Sequence, residues 1–188
     1  MPEALDWRRF RDAQAERLKL TTGQDVAVWN GRVAQAGPSD PEALNAWLAT
    51  QGVTGHARQL LRWERFGYPE FMQATAGQLI DAQYRDRPAL RPVYEALAGA
   101  ALALGEVTAQ ARKTYVSLLT ARRTFARLQP TTRLRIDMGL RLEGLDPGGR
   151  LRPGRIHDSM PVQLSFETVG DIDAEALEWM RKALEANG

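Results

Sequence analysis

The stretch 133-RLRIDMGLRL-142 decides how this chain is read, because its apolar and polar residues alternate without a fault. Leu134, Ile136, Met138, Leu140 and Leu142 fall on one face, and Arg133, Arg135, Asp137, Gly139 and Arg141 on the other. Successive side chains of a strand point to opposite faces, so the pattern predicts a half-buried antiparallel strand with a solvated polar side. Working outward, Lys113–Leu119 and Arg123–Leu128 read as two further strands joined by Thr120-Ala121-Arg122. Pro161–Thr168 reads as a fourth, with Val162, Leu164 and Phe166 inward. Asp146-Pro147-Gly148-Gly149 marks a turn, and residues 146–160 form a long basic loop rich in Gly and Pro. Asp173 is placed to cap a last helix to Ala186, with Leu177, Met180 and Leu184 toward the sheet.

Upstream of these strands the apolar period is helical. Glu3–Leu20 predicts a first helix, with Trp7, Phe10, Gln14 and Leu18 at spacings near three and four. A second carries Val26, Trp29 and Val33 on one face. Asp40 at the N-cap and Pro41 at the first helical position start a third, which reaches Thr50 and buries Leu44, Trp47 and Leu48. Gly52-Val53-Thr54-Gly55 turns into a fourth, His56–Phe66, with Leu60, Leu61 and Trp63 apolar. From Ala76 to Ala103 the pattern stays helical, broken at Arg87-Pro88, with a stripe of Leu90, Val93, Tyr94, Leu97, Ala101 and Leu104. The expected architecture is α+β: a helical module over residues 1–75, then residues 76–188 as an antiparallel four-stranded sheet packed with helices.

The 188 residues include no cysteine, which removes disulfides, thiolate zinc sites, iron–sulfur clusters and cysteine nucleophiles together. The opening MPEALDWRRF has acids and arginines where a signal peptide has an apolar core. The longest apolar run, Leu97–Leu104, is far short of the roughly 20 residues of a bilayer span. A cytoplasmic protein without membrane insertion is expected. Charge is uneven. Residues 107–158 hold 11 basic and 4 acidic side chains, against 12 and 13 in residues 1–106 and 2 and 6 in residues 159–188. A basic island between neutral and acidic flanks points to an anionic partner. The competing explanation is general surface charge, since Arg outnumbers Lys 22 to 3 in an Ala-rich chain.

Motifs that carry chemistry are few. His56 and His157 are the two histidines, and the only adjacent acid, Asp158, sits beside His157 where neighbouring side chains point apart. No G-x-S-x-G elbow, P-loop or G-x-G-x-x-G occurs, so no catalytic residue, cofactor site or metal ligand is assigned. The Gly52–Gly55 turn is similar to a helix–hairpin–helix turn with one extra residue, and an αα-corner is the favoured explanation. The candidate site is the basic island. Lys113, Tyr115, Arg122, Arg123, Arg127, Arg133, Arg135 and Arg141 would form an arginine-rich sheet face suited to phosphates or carboxylates.

Two segments resemble known families. TGQDVAVWNGRVAQAG and AWLATQGVTGHARQLL resemble a small helical domain of unknown function that is widespread in bacteria. TAQARKTYVSLLTARRTFARLQPTTRLRIDMGLRLEG resembles a second bacterial domain of unknown function, sometimes described as a "predicted transport protein". The resemblance implies a tandem of the two and carries no catalytic residues. PVQLSFETVGDIDAEALEWMRKALEA is similar to the closing strand and helix of the YjbR-like fold, some of whose members have been proposed to bind DNA. Fold likeness alone does not transmit function. Three readings remain: a nucleic-acid-associated binding module, a protein-interaction or scaffold module using the Trp-rich helices, and a small-molecule binder or unrecognised enzyme. The charge split favours the first.

Overall fold

Ile136–Leu140, the heart of the alternating stretch, is an interior strand of a seven-stranded sheet in a computed structural model that describes residues 3–4 and 7–188. The strands are β1 (Glu3–Ala4), β2 (Thr108–Ala111), β3 (Val116–Leu119), β4 (Thr124–Pro130), β5 (Ile136–Leu140), β6 (Arg152–Pro153) and β7 (Val162–Phe166). Their order across the sheet is β1-β2-β3-β4-β5-β7-β6. β1 lies parallel to β2 and every other pair is antiparallel. The sheet therefore has six antiparallel strands where four were expected, plus the short parallel β1. β2 is missed because TAQA carries no strong alternation, and β6 because two residues carry no period at all.

The helices of this part are α6 (Ala76–Tyr84), α7 (Arg91–Ala103) and α8 (Ala174–Asn187), with 3₁₀ turns at Pro88–Leu90 and Val169–Asp171. Thr75 caps α6 in a capping box with Gln78, and Asp173 caps α8 through the Ala176 N–H. α6 and α7 pack on β2, and α8 packs on β4 and β5. Ile136, Met138 and Leu140 join Val116, Leu118, Leu128, Leu164 and Phe166 in the core, each 1% exposed or less. The buried stripe of α8 is Ala176, Met180, Ala183 and Asn187, whereas Leu177 and Leu184 are half-buried. Asn187 holds an apolar slot because its amide donates to the carbonyls of Arg141 and Ala183, both at 2.8 Å.

Two expectations for the central strand are corrected. β5 is buried at all five positions, not on one face. Arg133 and Leu134 lie in the turn before it, where the Thr131 and Thr132 N–H groups reach the Arg135 carbonyl, and Leu134 is 72% exposed. Alternation continued past the strand end because a turn leaves side chains free of either face.

The chain divides into two compact units, Asp6–Gln73 and Met1–Leu5 with Ala74–Gly188. The first contains α1 (Trp7–Thr22), α2 (Val26–Ala36), α3 (Pro41–Thr50), α4 (Gly55–Phe66) and the single turn α5 (Glu70–Gln73). The predicted helix from Glu3 begins only at Trp7, since Glu3–Ala4 pairs with Gln110–Ala111. Leu5, Asp6 and the Trp7 side chain lie outside the described residues. Leu18, Trp29, Val33, Leu44, Leu48, Val53, Leu60 and Leu61 form the core, and Trp47 is partly buried against it.

Within this unit one carboxylate ties three elements together. Glu64 on α4 accepts from Arg11 Nε of α1 at 2.8 Å, from the Tyr68 hydroxyl at 2.7 Å and from the Asn30 amide of α2 at 3.2 Å. Burial pushes its carboxyl up, but these hydrogen bonds and the Arg11 charge together hold it below its ordinary value. Burial first, and then the hydrogen bond to Glu64 and its charge, push the Tyr68 hydroxyl up to about 12. A depressed carboxyl stabilises the fold above its unfolded value and loses that contribution as pH falls through the folded one. A raised tyrosine contributes fully below its unfolded value near 10 and loses that as pH rises through about 12. Thermal unfolding followed by circular dichroism should therefore show an acid limb below about pH 4.5 and an alkaline limb between 10 and 12. Glu64→Gln should lower stability at pH 7 and flatten the acid limb. An unchanged acid limb would mean that the carboxylate is solvated.

Candidate functional site

The second face of the sheet, opposite the helix-covered core, carries the polar residues. Register places Arg127 beside Ser117 and Gly139, Gln129 beside Asp137, Asp137 beside Ser165, and Gly139 beside Gln163. A strap from the basic loop crosses this face. Gly154 N–H donates to the Pro161 carbonyl at 2.7 Å, the Arg155 N–H to Gln163 Oε1 at 2.8 Å, and the Met160 N–H to the His157 carbonyl at 2.9 Å. Buried Leu151 and Met160 anchor it at each end. Ile156 lies so close over β5 that a Cβ at Gly139 would stand 2.7 Å from its Cδ1. The missing side chain of Gly139 is what admits the strap.

The sequence-predicted site residues separate into two groups. Arg122 and Arg123 form an exposed turn whose N–H groups both reach Thr120 Oγ1 at 3.1 Å. Arg141 lies at the same end of the sheet, its Nε spent on the Thr124 carbonyl at 2.9 Å. Lys113, Tyr115, Arg133 and Arg135 lie at the other end, in the β2–β3 and β4–β5 connections. At about 3.4 Å per residue the strands between hold the two groups roughly 15 Å apart. A single continuous arginine face is not formed.

Asp137 accounts for Arg135. Its side chain, 2% exposed, accepts from the Thr131 hydroxyl at 2.5 Å, the Ser165 hydroxyl at 2.6 Å and Arg135 Nη2 at 3.3 Å. Arg135 Nε comes within 3.1 Å of the same carboxylate but off the hydrogen-bond line. Arg135 is thus partly committed to neutralising a buried acid, with its remaining N–H groups at the surface.

Arg127 is the residue with no such partner. Its guanidinium lies 3.6 Å above the Tyr115 ring, in cation–π contact. Its polar contact is a long one, 3.5 Å from Nη1 to the Ile156 carbonyl, and among the described residues no carboxylate pairs with it. The Nε atoms of Arg127 and of nearby Arg112 are buried without hydrogen-bond partners. Burial pulls the Arg127 guanidinium below its ordinary value, the Tyr115 side chain opposes this, and the like charge of Arg112 adds to it. A half-buried cation stacked on an aromatic ring beside a second cation favours an anion electrostatically.

A family model described as a domain of unknown function (DUF5655) matches residues 80–187, more than half of the chain. The chain belongs to the DUF5655 family. The DUF5655 segment opens in α6 and closes at the end of α8, so the strap, Arg127 and Tyr115 all lie inside it. No curated protein and no solved structure matches the chain.

On the β6–β7 side of Ile156 the DUF5655 sheet bears an open cleft of about 320 Å³. It is lined by Arg135, Arg152, Pro153, Arg155, Gln163 and Ser165. Arg152, Arg155 and Gln163 had no place in the sequence-predicted site. The signal for the two arginines was the basic character of the 146–160 loop, which local pattern could not fold back on the sheet, and Gln163 on β7 carried none. Ser159 Oγ lies 2.8 Å from His157 Nδ1, and the Ser159 N–H reaches the same nitrogen at 3.1 Å, the pattern of a local turn. Among the described residues no three His, Asp or Glu side chains gather as metal ligands, and no helix is long and apolar enough to cross a membrane.

Proposed function

We propose that the DUF5655 unit is a non-catalytic binding module that takes an anionic ligand, nucleic acid first among candidates, on the strap-bearing face of its sheet. One observation carries this reading: Arg127, half-buried on Tyr115 next to Arg112, has no carboxylate among the described residues to neutralise it. Leaving a desolvated charge unpaired costs stability, so its retention fits a ligand that supplies the missing charge. The basic excess of residues 107–158 adds long-range attraction. On this reading the chain is a cytoplasmic tandem of two bacterial domains, as its sequence resembles, with the anionic ligand belonging to the second.

The cations sit on strands and turns with no helix to enter a groove, so contact is to phosphate and sequence preference is slight. Binding to single- and double-stranded oligonucleotides should be roughly 10⁻⁴–10⁻⁶ M at physiological salt and should weaken steeply as salt rises. Fluorescence anisotropy measures both. Arg127→Ala should weaken binding and lower the salt slope by about one for the lost phosphate contact. Arg112→Ala combined with Lys113→Ala guards against a folding defect in the first variant. Arg135 is unsuited to such a test, because reversing its charge would set a carboxylate against Asp137. Absence of binding at low salt would remove the nucleic-acid reading, and binding untouched in both variants would remove this site.

A further inference from the structure

We infer that the cleft beneath the strap is a second anion site, one that takes the diphosphate group of a small molecule. It deepens the reading of this face as anion-binding and uses different residues from the Arg127 patch, with Ile156 on Gly139 standing between the two.

Three arginines line the cleft from three separate segments: Arg135 from the β4–β5 turn, Arg152 from β6 and Arg155 from the strap. No Asp or Glu lines it. The acid beneath, Asp137, is already engaged by Thr131, Ser165 and Arg135, which leaves the lining with a positive excess. Among the described residues neither Arg152 nor Arg155 has an ion-pair partner, although Arg87, Arg91, Arg150 and Arg181 in the same unit each have one. Their backbones are nevertheless held in place. β6 pairs Arg152 with Gln163 and Pro153 with Val162, and the Gln163 side chain, 6% exposed, fixes the Arg155 N–H. Accepting through Oε1 leaves the Gln163 amide N–H₂ as a further donor. A backbone fixed before the ligand arrives avoids the ordering cost that a loose loop would incur, leaving only the exposed Arg152 and Arg155 side chains to be ordered.

The ligand class follows from number and size. Planar guanidinium forks match phosphate oxygens in pairs, and several converging forks suit adjacent phosphates better than a lone carboxylate. A cleft of about 320 Å³ is at the small end of small-molecule sites, with room for an organic group beside the phosphates. It is bounded by the strap, unlike the open track along which a polymer backbone would run.

Isothermal titration of the full chain with inorganic pyrophosphate, against sodium sulfate at matched ionic strength, tests this. Saturable one-to-one binding is expected for pyrophosphate, at least tenfold tighter than for sulfate. Arg152→Ala with Arg155→Ala removes two side chains free of ion pairs, so it should weaken pyrophosphate at least tenfold with thermal unfolding unchanged. The same variant should retain most of its oligonucleotide affinity, and Arg127→Ala should retain pyrophosphate binding. Equal affinity in wild type and double variant, equal response to sulfate, or no saturable binding would each overturn the inference. Loss of pyrophosphate binding in Arg127→Ala as well would also overturn it, by merging the two sites. Oligonucleotide failure with pyrophosphate binding intact would remove the nucleic-acid reading and leave the cleft standing.

Discussion

Ile136→Ala should destabilise the sheet unit by about 2–5 kcal/mol, through lost burial plus the cavity left behind. Ile136 is fully buried on an interior strand, paired with Pro130 on one side and with Phe166, also fully buried, on the other. Neighbours on a hydrogen-bonded sheet cannot collapse freely into the gap, which places the cost toward the upper part of that range. Equilibrium denaturation by urea, followed by circular dichroism, reads the change. A loss under about 1 kcal/mol would show that this side chain is not a core group. Leu134→Ala, two positions earlier at a residue 72% exposed, should be nearly silent and serves as the control.

Gly154→Ala should have the largest effect of any single added methyl group in this unit. A Cβ there would stand 1.7 Å from the Met160 carbonyl oxygen and 2.9 Å from two neighbouring backbone carbons. The obstacle is backbone, so relief requires moving the strap and breaking the Gly154 to Pro161 hydrogen bond. Overpacking of this kind costs roughly 1–3 kcal/mol. Arg155 and β6 would shift with the strap, so the variant should also lose pyrophosphate affinity while retaining a cooperative unfolding transition. Gly148→Ala, with nothing within 4 Å of the added carbon, should change stability by less than about 0.5 kcal/mol. Gly139→Ala should fall between them, because the Ile156 side chain at 2.7 Å can yield, whereas Met160 Cβ at 2.9 Å moves only with its backbone. Equal stability of the Gly154 and Gly148 variants would mean that the strap does not lie on the sheet.

Local chemistry already wrote much of this fold into the chain. Asp40 and Asp173 cap helices through their own side chains, and Ile136, Met138, Leu140, Val162, Leu164 and Phe166 take the core face that alternation assigns. Such features depend on backbone period and on neighbours within four residues, so sequence alone determined them. Tertiary structure decided the rest. Glu3–Ala4 became a strand only because Gln110–Ala111 offered an edge, overriding a local helical pattern. Asn187 went into the core because the carbonyl of remote Arg141 joined the local one of Ala183 in accepting from its amide. The polar face of β5 looked solvated, yet Asp137 is buried by Thr131, Ser165 and Arg135, and Gly139 by Ile156. Period assigns a residue to a face, but whether that face meets water depends on which remote segment folds over it. The candidate site follows the same rule: Arg127 and Arg135, both on the basic island, differ in surroundings, because Arg135 has a carboxylate within reach and Arg127 an aromatic ring. Charge is a property of composition, whereas the partner that neutralises it is chosen by the fold.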